Sequence, residues 1–153
     1  MPGAFPGFQQ DLLASVNNTV KAITEVVVCV FTRTSFMKML ADNPTLSRSL
    51  TFKTAEDEKF MQNNLINIAT RPARGRLAYL LLEMHARVVR AYPQESGKDA
   101  YLPLTQQDIA DTLGLSNVHV NRAIRSLRKE QIVSIGKNRL QIHDYEKLKR
   151  IAD

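Results

Sequence analysis

The feature that most constrains the fold of this chain is residues 104–127, LTQQDIADTLGLSNVHVNRAIRSL, which read as two short helices joined by a glycine turn. The Thr105 hydroxyl can cap the first helix, and Asp108 lies at the third helical position, where a negative charge stabilises a helix N-terminus. Gly114 accepts the left-handed conformation that ends a helix, and Ser116 can cap the next helix. The segment therefore predicts a tight helix pair.

Apolar residues repeat at helical spacing in both helices. The residues predicted to be buried are Ile109, Ala110, Leu113, Val120, Ala123, Ile124 and Leu127, with Leu115 closing the turn. The opposite face of the second helix carries Asn117, His119, Asn121, Arg122 and Arg125. This layout is typical of a helix-turn-helix, whose second helix lies in the DNA major groove. Similar helix pairs occur in proteins that never bind DNA, so the motif alone leaves both interpretations open.

Positive charge is concentrated in the same half of the chain. Residues 1–70 carry six Lys or Arg and six Asp or Glu, whereas residues 71–153 carry fifteen and nine. Residues 132–135 and 139–142 are predicted to be two strands joined by a turn through Gly136, Lys137 and Asn138. A hairpin at this place makes a winged helix, with Lys137 and Arg139 placed to meet phosphates. Neutralising phosphates releases counterions, which favours a nucleic-acid partner.

The first half of the chain has a different pattern. Residues 19–31, TVKAITEVVVCVF, alternate and then run through β-branched residues, which predicts one or two strands. So few strands cannot make a sheet domain, and the chain is expected to begin partway through a β domain. Helical spacing starts at Thr34, and Pro44 marks a second helix start.

One apolar stripe stands out within residues 54–70. Met61, Leu65 and Ile68 fall on one helix face, which suits either core packing or a dimer seam. Pro72 and Gly75 separate this helix from another that is expected to run to about Tyr92. That break is the predicted domain boundary.

Several classes of protein are not expected. The single Cys29 excludes an intrachain disulfide framework or iron–sulfur site, and His85, His119 and His143 lack the spacing of metal ligands. No nucleophile motif or phosphate loop is present, so the sequence predicts neither an enzyme nor a bound cofactor. No membrane segment or secretion signal is recognisable, and a cytoplasmic location is expected.

The motifs GRLAYLLLEM, LPLTQQDIADTLGLS and VNRAIRSLRKEQIV resemble the Crp/Fnr family of bacterial transcription regulators. PGAFPGFQQ and TVKAITEVVVCVF resemble the last third of that family's cyclic-nucleotide-binding-type β-roll. The implied fold is mainly α with small β parts. It comprises a partial β-roll in residues 1–43, a dimerisation helix in residues 44–70 and a winged helix-turn-helix in residues 71–153.

The resemblance implies a homodimer that binds palindromic DNA and responds to an effector, with RNA polymerase as a candidate partner. The positions implied to read bases are Asn117, Val118, His119, Asn121 and Arg122, with Arg122 matching the arginine that contacts a guanine. The candidates for phosphate contact are Thr105, Gln106, Ser116, Arg125, Lys137 and Arg139. The resemblance also favours a dimer seam at Met61, Leu65 and Ile68.

The sequence departs from the family pattern at two places. Val118 replaces the usual glutamate, and because valine cannot accept a hydrogen bond from cytosine, the usual half-site is not expected. Phe8 follows Gly7 where a glutamate is common, and Val16 lies near the usual arginine, so a cyclic phosphate would lack charged partners. Cyclic AMP is therefore not the expected effector. The alternative interpretation is a sensor-deficient or truncated relative that binds DNA constitutively or acts mainly through protein–protein contacts.

Overall fold

The protein is described from a computed structural model, which covers residues 19–93 and 99–153. Residues 7, 8 and 16 lie outside this part, so the predictions on Gly7, Phe8 and Val16 have no structural counterpart. The chain divides into two compact units, one ending at Asn63 and the other running from Asn64 to Asp153.

The first unit contains helix α1 (Arg33–Asp42) and the first part of α2 (Pro44–Thr70). The Thr32 hydroxyl accepts a hydrogen bond from the Ser35 amide, so α1 starts one residue before the predicted Thr34. The Asn43 Oδ1 atom accepts from the Leu46 amide at 3.0 Å, which caps α2 immediately before Pro44. The predicted helix starts are therefore correct to within a residue.

The prediction of strands in residues 19–31 is wrong for the structure. These residues contain no strand or helix, and their side chains are exposed. Strand structure depends on hydrogen bonds to a neighbouring strand, and the described part of the first unit supplies none. The apolar pattern alone therefore could not produce the strands. Membership of residues 1–43 in a β-roll stays a prediction.

The second unit holds the end of α2 and every helix and strand that follows it in the described chain. In chain order these are α3 (Ala73–Ala91), β1 (Asp99–Tyr101), α4 (Gln106–Leu113), α5 (Asn117–Lys129), β2 (Val133–Gly136), β3 (Arg139–Ile142) and α6 (Tyr145–Ala152). The strands form one antiparallel sheet in the order β1-β3-β2. The predicted fold class, mainly helical with small β parts, is confirmed.

A single apolar core joins the helices and the sheet of the second unit. The seven residues predicted to be buried in α4 and α5 all belong to it, and Leu115 packs against it from the turn. Leu77 and Leu81 of α3 lie beneath them and are fully buried. Because burial of apolar surface is the main stabilising term in folding, this core determines the angle at which α5 is presented.

Two elements were not predicted. Strand β1 forms because Asp99–Tyr101 pairs with β3. Helix α6 begins after Asp144, whose side chain accepts from the Lys147 amide, and it packs on α3 through Leu148 and Ala152.

Gly75 does not break a helix as expected. It is buried in the first turn of α3, where an added Cβ would lie 3.1 Å from the Ile151 carbonyl oxygen. The break itself lies at Pro72, which precedes α3. Gly75 therefore permits the close approach of α3 and α6.

Candidate nucleic-acid interface

The turn between α4 and α5 is defined by capping on both sides. The Asp108 amide donates to the Thr105 hydroxyl at 3.1 Å, and the Thr105 amide donates to the Asp108 carboxylate at 2.8 Å. Gly114 has a φ of 61°, and its amide donates to α4 carbonyls. The Ser116 side chain then caps α5. These bonds satisfy helix-end groups that would otherwise lack partners, and they confirm the helix-turn-helix predicted from the sequence.

The five predicted base-reading residues lie together in the first half of α5. Asn117, Val118, His119 and Arg122 are exposed, and Asn121 is half-buried. Val118 is 67% exposed, so this face of α5 carries an apolar side chain among its polar ones. The arrangement therefore leaves a mixed polar and apolar surface free to meet a ligand.

Amide side chains link the two helices across the turn. Asn117 Nδ2 donates to Gln107 Oε1 at 2.5 Å, and Asn121 Nδ2 donates to Gln106 Oε1 at 2.6 Å. Gln107 in turn donates from Nε2 to the Asp111 carboxylate at 2.7 Å. Sequence reasoning missed Gln107 and Asp111. Their spacing of four residues on α4 was the available signal, since it places them on one helix face.

His119 is held by the cap of its own helix. The Ser116 Oγ atom lies 2.8 Å from His119 Nδ1 and 3.4 Å from the His119 amide. When the amide donates to Ser116, the serine hydroxyl can donate to Nδ1 of a neutral ring, and Nε2 then carries the proton. In that tautomer His119 presents an N–H donor at Nε2, and in the other tautomer Nε2 is an acceptor.

Four basic side chains at the site make no polar side-chain contact within the described part of the chain. Within residues 19–93 and 99–153, no side-chain hydrogen bond or ion pair is formed by Arg122, Arg125, Lys137 or Arg139, and all four are exposed. Among the other predicted phosphate contacts, Gln106 is bonded to Asn121, while Thr105 and Ser116 serve as caps. Positive charge is thus available on both α5 and the hairpin.

The hairpin turn is tighter than expected. Lys137 and Asn138 form a two-residue loop between the paired Gly136 and Arg139, and both have positive φ, at 47° and 60°. Positive φ at both central residues is the requirement of a type I′ turn. The Leu102 amide donates to the Asn138 carbonyl at 2.7 Å, which ties the loop to the segment after β1.

Arg128 connects the hairpin to α5. Its guanidinium donates to the Ile135 carbonyl at 2.7 Å. Because Arg128 belongs to α5 and Ile135 to β2, this bond helps to hold the hairpin at a defined place beside the helix. The sequence did not indicate this contact, because the two residues lie on different elements, a helix and a strand.

Glu130, which directly follows α5, is paired with two basic side chains. Glu130 binds Arg74 at 2.7 Å and Lys147 at 3.3 Å. The hydrogen bond from Arg74 lowers the pKa of Glu130 below its ordinary value, the Lys147 bond acts in the same direction, and partial desolvation opposes them. The carboxylate therefore adds little repulsion toward an anionic ligand.

Comparison with known proteins identifies the family. A family model described as a Crp-like helix-turn-helix domain matches residues 75–151, which is half of the chain. The chain belongs to the Crp/Fnr family. The match covers α4, the turn, α5 and the hairpin, together with most of α3 and α6. The family resemblance carried by the sequence motifs is thereby confirmed.

Curated relatives agree with this assignment to the Crp/Fnr family. The chain is 30% identical over 135 residues to a Rhizobium leguminosarum bv. viciae protein named "Probable transcriptional activator", covering 87% of this chain and 55% of the relative. It is 27% identical over 132 residues to the transcriptional activator protein FnrL of Cereibacter sphaeroides, covering 84% and 53%. The chain thus spans about half the length of these relatives, which are transcription regulators.

A solved structure shares the fold. FixK2 from Bradyrhizobium japonicum superposes with a TM-score of 0.68 at 24% identity, covering 79% of this chain and 59% of that one.

Neither a membrane helix nor a metal site is found in the described part of the chain. None of its helices combines the length and the hydropathy of a membrane-spanning helix. No group of His, Cys, Asp or Glu in the same part of the chain could hold a metal ion.

The predicted dimer seam lies on α2, the helix that precedes the family domain. Met61 is 50% exposed, Leu65 is 68% exposed and Ile68 is half-buried. The buried residue of this stretch is instead Asn67, which donates to the Arg76 carbonyl and accepts from Arg71. The stripe is thus left uncovered at two of its three positions within the described chain.

Proposed function

We propose that this chain is a sequence-specific regulator of transcription that binds palindromic DNA as a homodimer. The observation that carries the proposal is the exposed polar face of α5, from Asn117 to Arg125. It is flanked by the unpaired basic side chains of the hairpin, Lys137 and Arg139. A helix-turn-helix reads the major groove with the N-terminal part of its second helix, which is where these residues lie. Crp/Fnr regulators bind DNA and act as dimers.

The base-reading roles follow from side-chain chemistry. Arg122 can bond guanine O6 and N7 bidentately, while Asn117 and Asn121 suit adenine. Val118 offers apolar contact to a thymine methyl group, and His119 can donate from Nε2. A correct bidentate pair is worth roughly 1–3 kcal/mol of discrimination. The half-site should therefore differ from one that is read by a glutamate at position 118.

The phosphate contacts divide into two kinds. Arg125, Lys137 and Arg139 would neutralise phosphates directly, because the described fold leaves their charges unpaired. Thr105, Gln106 and Ser116 lie at the starts of α4 and α5, where backbone N–H groups and the helix dipole favour an anion. The Thr105 hydroxyl and amide both donate to the Asp108 carboxylate, at 2.6 and 2.8 Å, and the Asp108 amide donates back to the Thr105 hydroxyl. A phosphate at the start of α4 would therefore be met by the Gln106 and Gln107 amides, which have no partner within the helix.

We place the homodimer interface on α2 at Met61, Leu65 and Ile68. Exposed apolar side chains at helical spacing gain free energy when a second helix covers them. A two-fold dimer presents its recognition helices to successive major grooves, about 34 Å apart, which requires a palindromic site. The effector is proposed to be a ligand other than cyclic AMP, and the setting cytoplasmic, with RNA polymerase as a partner.

The test compares base reading with phosphate neutralisation. A duplex selected from random DNA is titrated with wild type, Arg122→Ala and Lys137→Ala at several salt concentrations. Arg122→Ala should lose about 1–3 kcal/mol of discrimination at one base pair of each half-site. Lys137→Ala should weaken all sequences alike and reduce the salt slope by about one for each phosphate that the variant no longer neutralises. If neither variant alters DNA affinity, the proposal is overturned.

A further inference from the structure

A polar chain of three side chains runs from α4 to the first residue of α5. Gln107 Nε2 donates to Asp111 Oδ1 at 2.7 Å, and Gln107 Oε1 accepts from Asn117 Nδ2 at 2.5 Å. Asp111 and Gln107 are four residues apart on α4, while Asn117 lies across the turn at the N-terminus of α5. The three side chains therefore form one connected hydrogen-bonded series.

The chemistry of the carboxylate gives this series a direction. An ionised carboxylate only accepts hydrogen bonds, so the Gln107 amide must turn its NH₂ group toward Asp111. Its carbonyl oxygen then faces Asn117, which must donate from its own NH₂ group. The Asn117 Oδ1 atom is left without a partner among the described residues and remains available as an acceptor.

The neighbouring amide pair lacks this constraint. Asn121 donates to Gln106, but within the described chain no carboxylate bonds the Gln106 NH₂ group. Both amides of that pair can rotate together by half a turn and still form one hydrogen bond. On the same face of α5, the Asn117 amide therefore has a fixed orientation, whereas the Asn121 amide does not.

We propose that Asp111, acting through Gln107, orients the Asn117 amide so that α5 presents a hydrogen-bond acceptor at its first position. This inference rests on the proposed DNA-binding function and names the bases that the position selects. In the major groove only adenine N6 and cytosine N4 donate hydrogen bonds. Asn117 retains a second N–H, which can also reach adenine N7. Guanine and thymine could accept only from this second N–H, and Asn117 Oδ1 would then be left unpaired or facing another acceptor.

Asp111 and Gln107 are thus positioning residues, and Asn117 is the residue that contacts the base. Asp111 lies in the last turn of α4, where the helix dipole disfavours a negative charge. Replacing Asp111 by asparagine should therefore leave the fold intact. An asparagine at this position can donate as well as accept, so the direction of the series is lost while its size is kept.

The experiment selects binding sites from random duplex DNA with wild type and variants. Asn117→Ala first identifies the base pair that depends on this residue. At that pair, wild type should prefer adenine or cytosine over guanine or thymine by roughly two- to tenfold, the range of one neutral hydrogen bond. In Asp111→Asn the ratio should fall to about one. Glu146→Gln, an equal charge change on exposed α6, should leave the ratio unchanged.

A rescue variant separates orientation from mere packing. In Asn117→Asp combined with Asp111→Asn, the side chain of residue 117 carries no N–H group, so it presents an acceptor whatever the orientation of Gln107. The preference for adenine or cytosine should return, although the added negative charge lowers affinity for every sequence. A role of Asp111 in stability alone would not produce this return.

Each contrary outcome has a distinct meaning. The inference is overturned if Asp111→Asn keeps the wild-type preference, if wild type prefers guanine or thymine, or if Asn117→Ala changes no base pair. In those cases DNA recognition through Arg122 can still be intact. Failure of wild type to select any duplex overturns this inference together with the proposed function.

Discussion

Helices α5 and α2 both carry apolar side chains at helical spacing. Those of α5 are packed against other parts of the described chain, whereas the stripe on α2 is largely exposed. Val120 and Leu127 of α5 are completely buried. Helix α2 is 27 residues long against 13 for α5, yet its buried residue is the polar Asn67. Apolar surface stabilises a fold only where something removes it from water. The position of α5 is therefore determined within the chain, whereas the apolar stripe of α2 is stabilising only when a partner covers it.

The largest expected effect tests the uncovered helix. Leu65→Glu places a charge in the proposed dimer seam and should convert the dimer to monomers, because burying an unpaired charge is costly. Affinity for a palindromic duplex should fall by about a hundredfold or more, since two linked half-site contacts become one. Sedimentation and DNA titration measure the two changes. Gln62→Glu, also exposed on α2, is the matched control and should change neither.

If Leu65→Glu assembles as wild type does, the proposed dimer seam is wrong. The contrast between α2 and α5 would then need another explanation for the exposed stripe.

The second prediction tests the covered helix. Leu127→Ala should lower the free energy of unfolding by roughly 2–5 kcal/mol, because a fully buried leucine leaves a cavity behind. Val118→Ala, an apolar truncation at an exposed position of the same helix, should cost much less. Urea denaturation of both variants measures the difference. Equal losses would contradict the assignment of the two faces of α5.

A smaller effect is expected at the start of α5. Ser116→Ala removes the cap and the hydrogen bond to His119, and should lower the free energy of unfolding by about 1 kcal/mol. Ser116→Thr keeps a hydroxyl and should retain most of that stability. Thermal unfolding of the two variants tests whether the hydroxyl caps the helix. If Ser116→Thr and Ser116→Ala lose the same stability, the capping role is contradicted.

The smallest effect concerns the ion pairs that tie α5 to α3 and α6. Because Arg74 lowers the pKa of Glu130, this carboxylate stabilises the fold above its ordinary pKa and loses that contribution as pH falls through the lowered value. Glu130→Gln should therefore reduce the Tm slightly at neutral pH. The difference from wild type should vanish in strong acid. A difference that grows toward low pH would contradict the assigned direction.

Local signals explain what could be predicted. The capped starts of α4 and α5, the glycine at φ 61° and the buried face of each helix depend on residues a few positions apart. Backbone hydrogen bonding and helical period act over the same range, so the pattern in the sequence carries the information. The exposed polar face of α5 and the basic hairpin followed directly from it.

Non-local contacts explain what could not be predicted. Strand β1 exists through its pairing with β3, and residues 19–31 contain no strand despite a favourable pattern. Helix α6 has a local signal in the capping Asp144 and the buried Leu148 and Ala152, but its docking on α3 depends on the close approach that Gly75 permits. In each case the outcome depends on whether a distant segment makes a contact, and local sequence periodicity does not contain that information.

The sequence by itself determined the helix-turn-helix, its exposed Asn117-to-Arg125 face and the positive charge around it. Only the tertiary structure decided how those side chains are held. The links from Gln107 to Asn117 and from Arg128 to Ile135 join residues on different elements. Hydrogen bonds need atoms within about 3 Å in a suitable direction, and that geometry exists only once the core has set the helices and the hairpin in place.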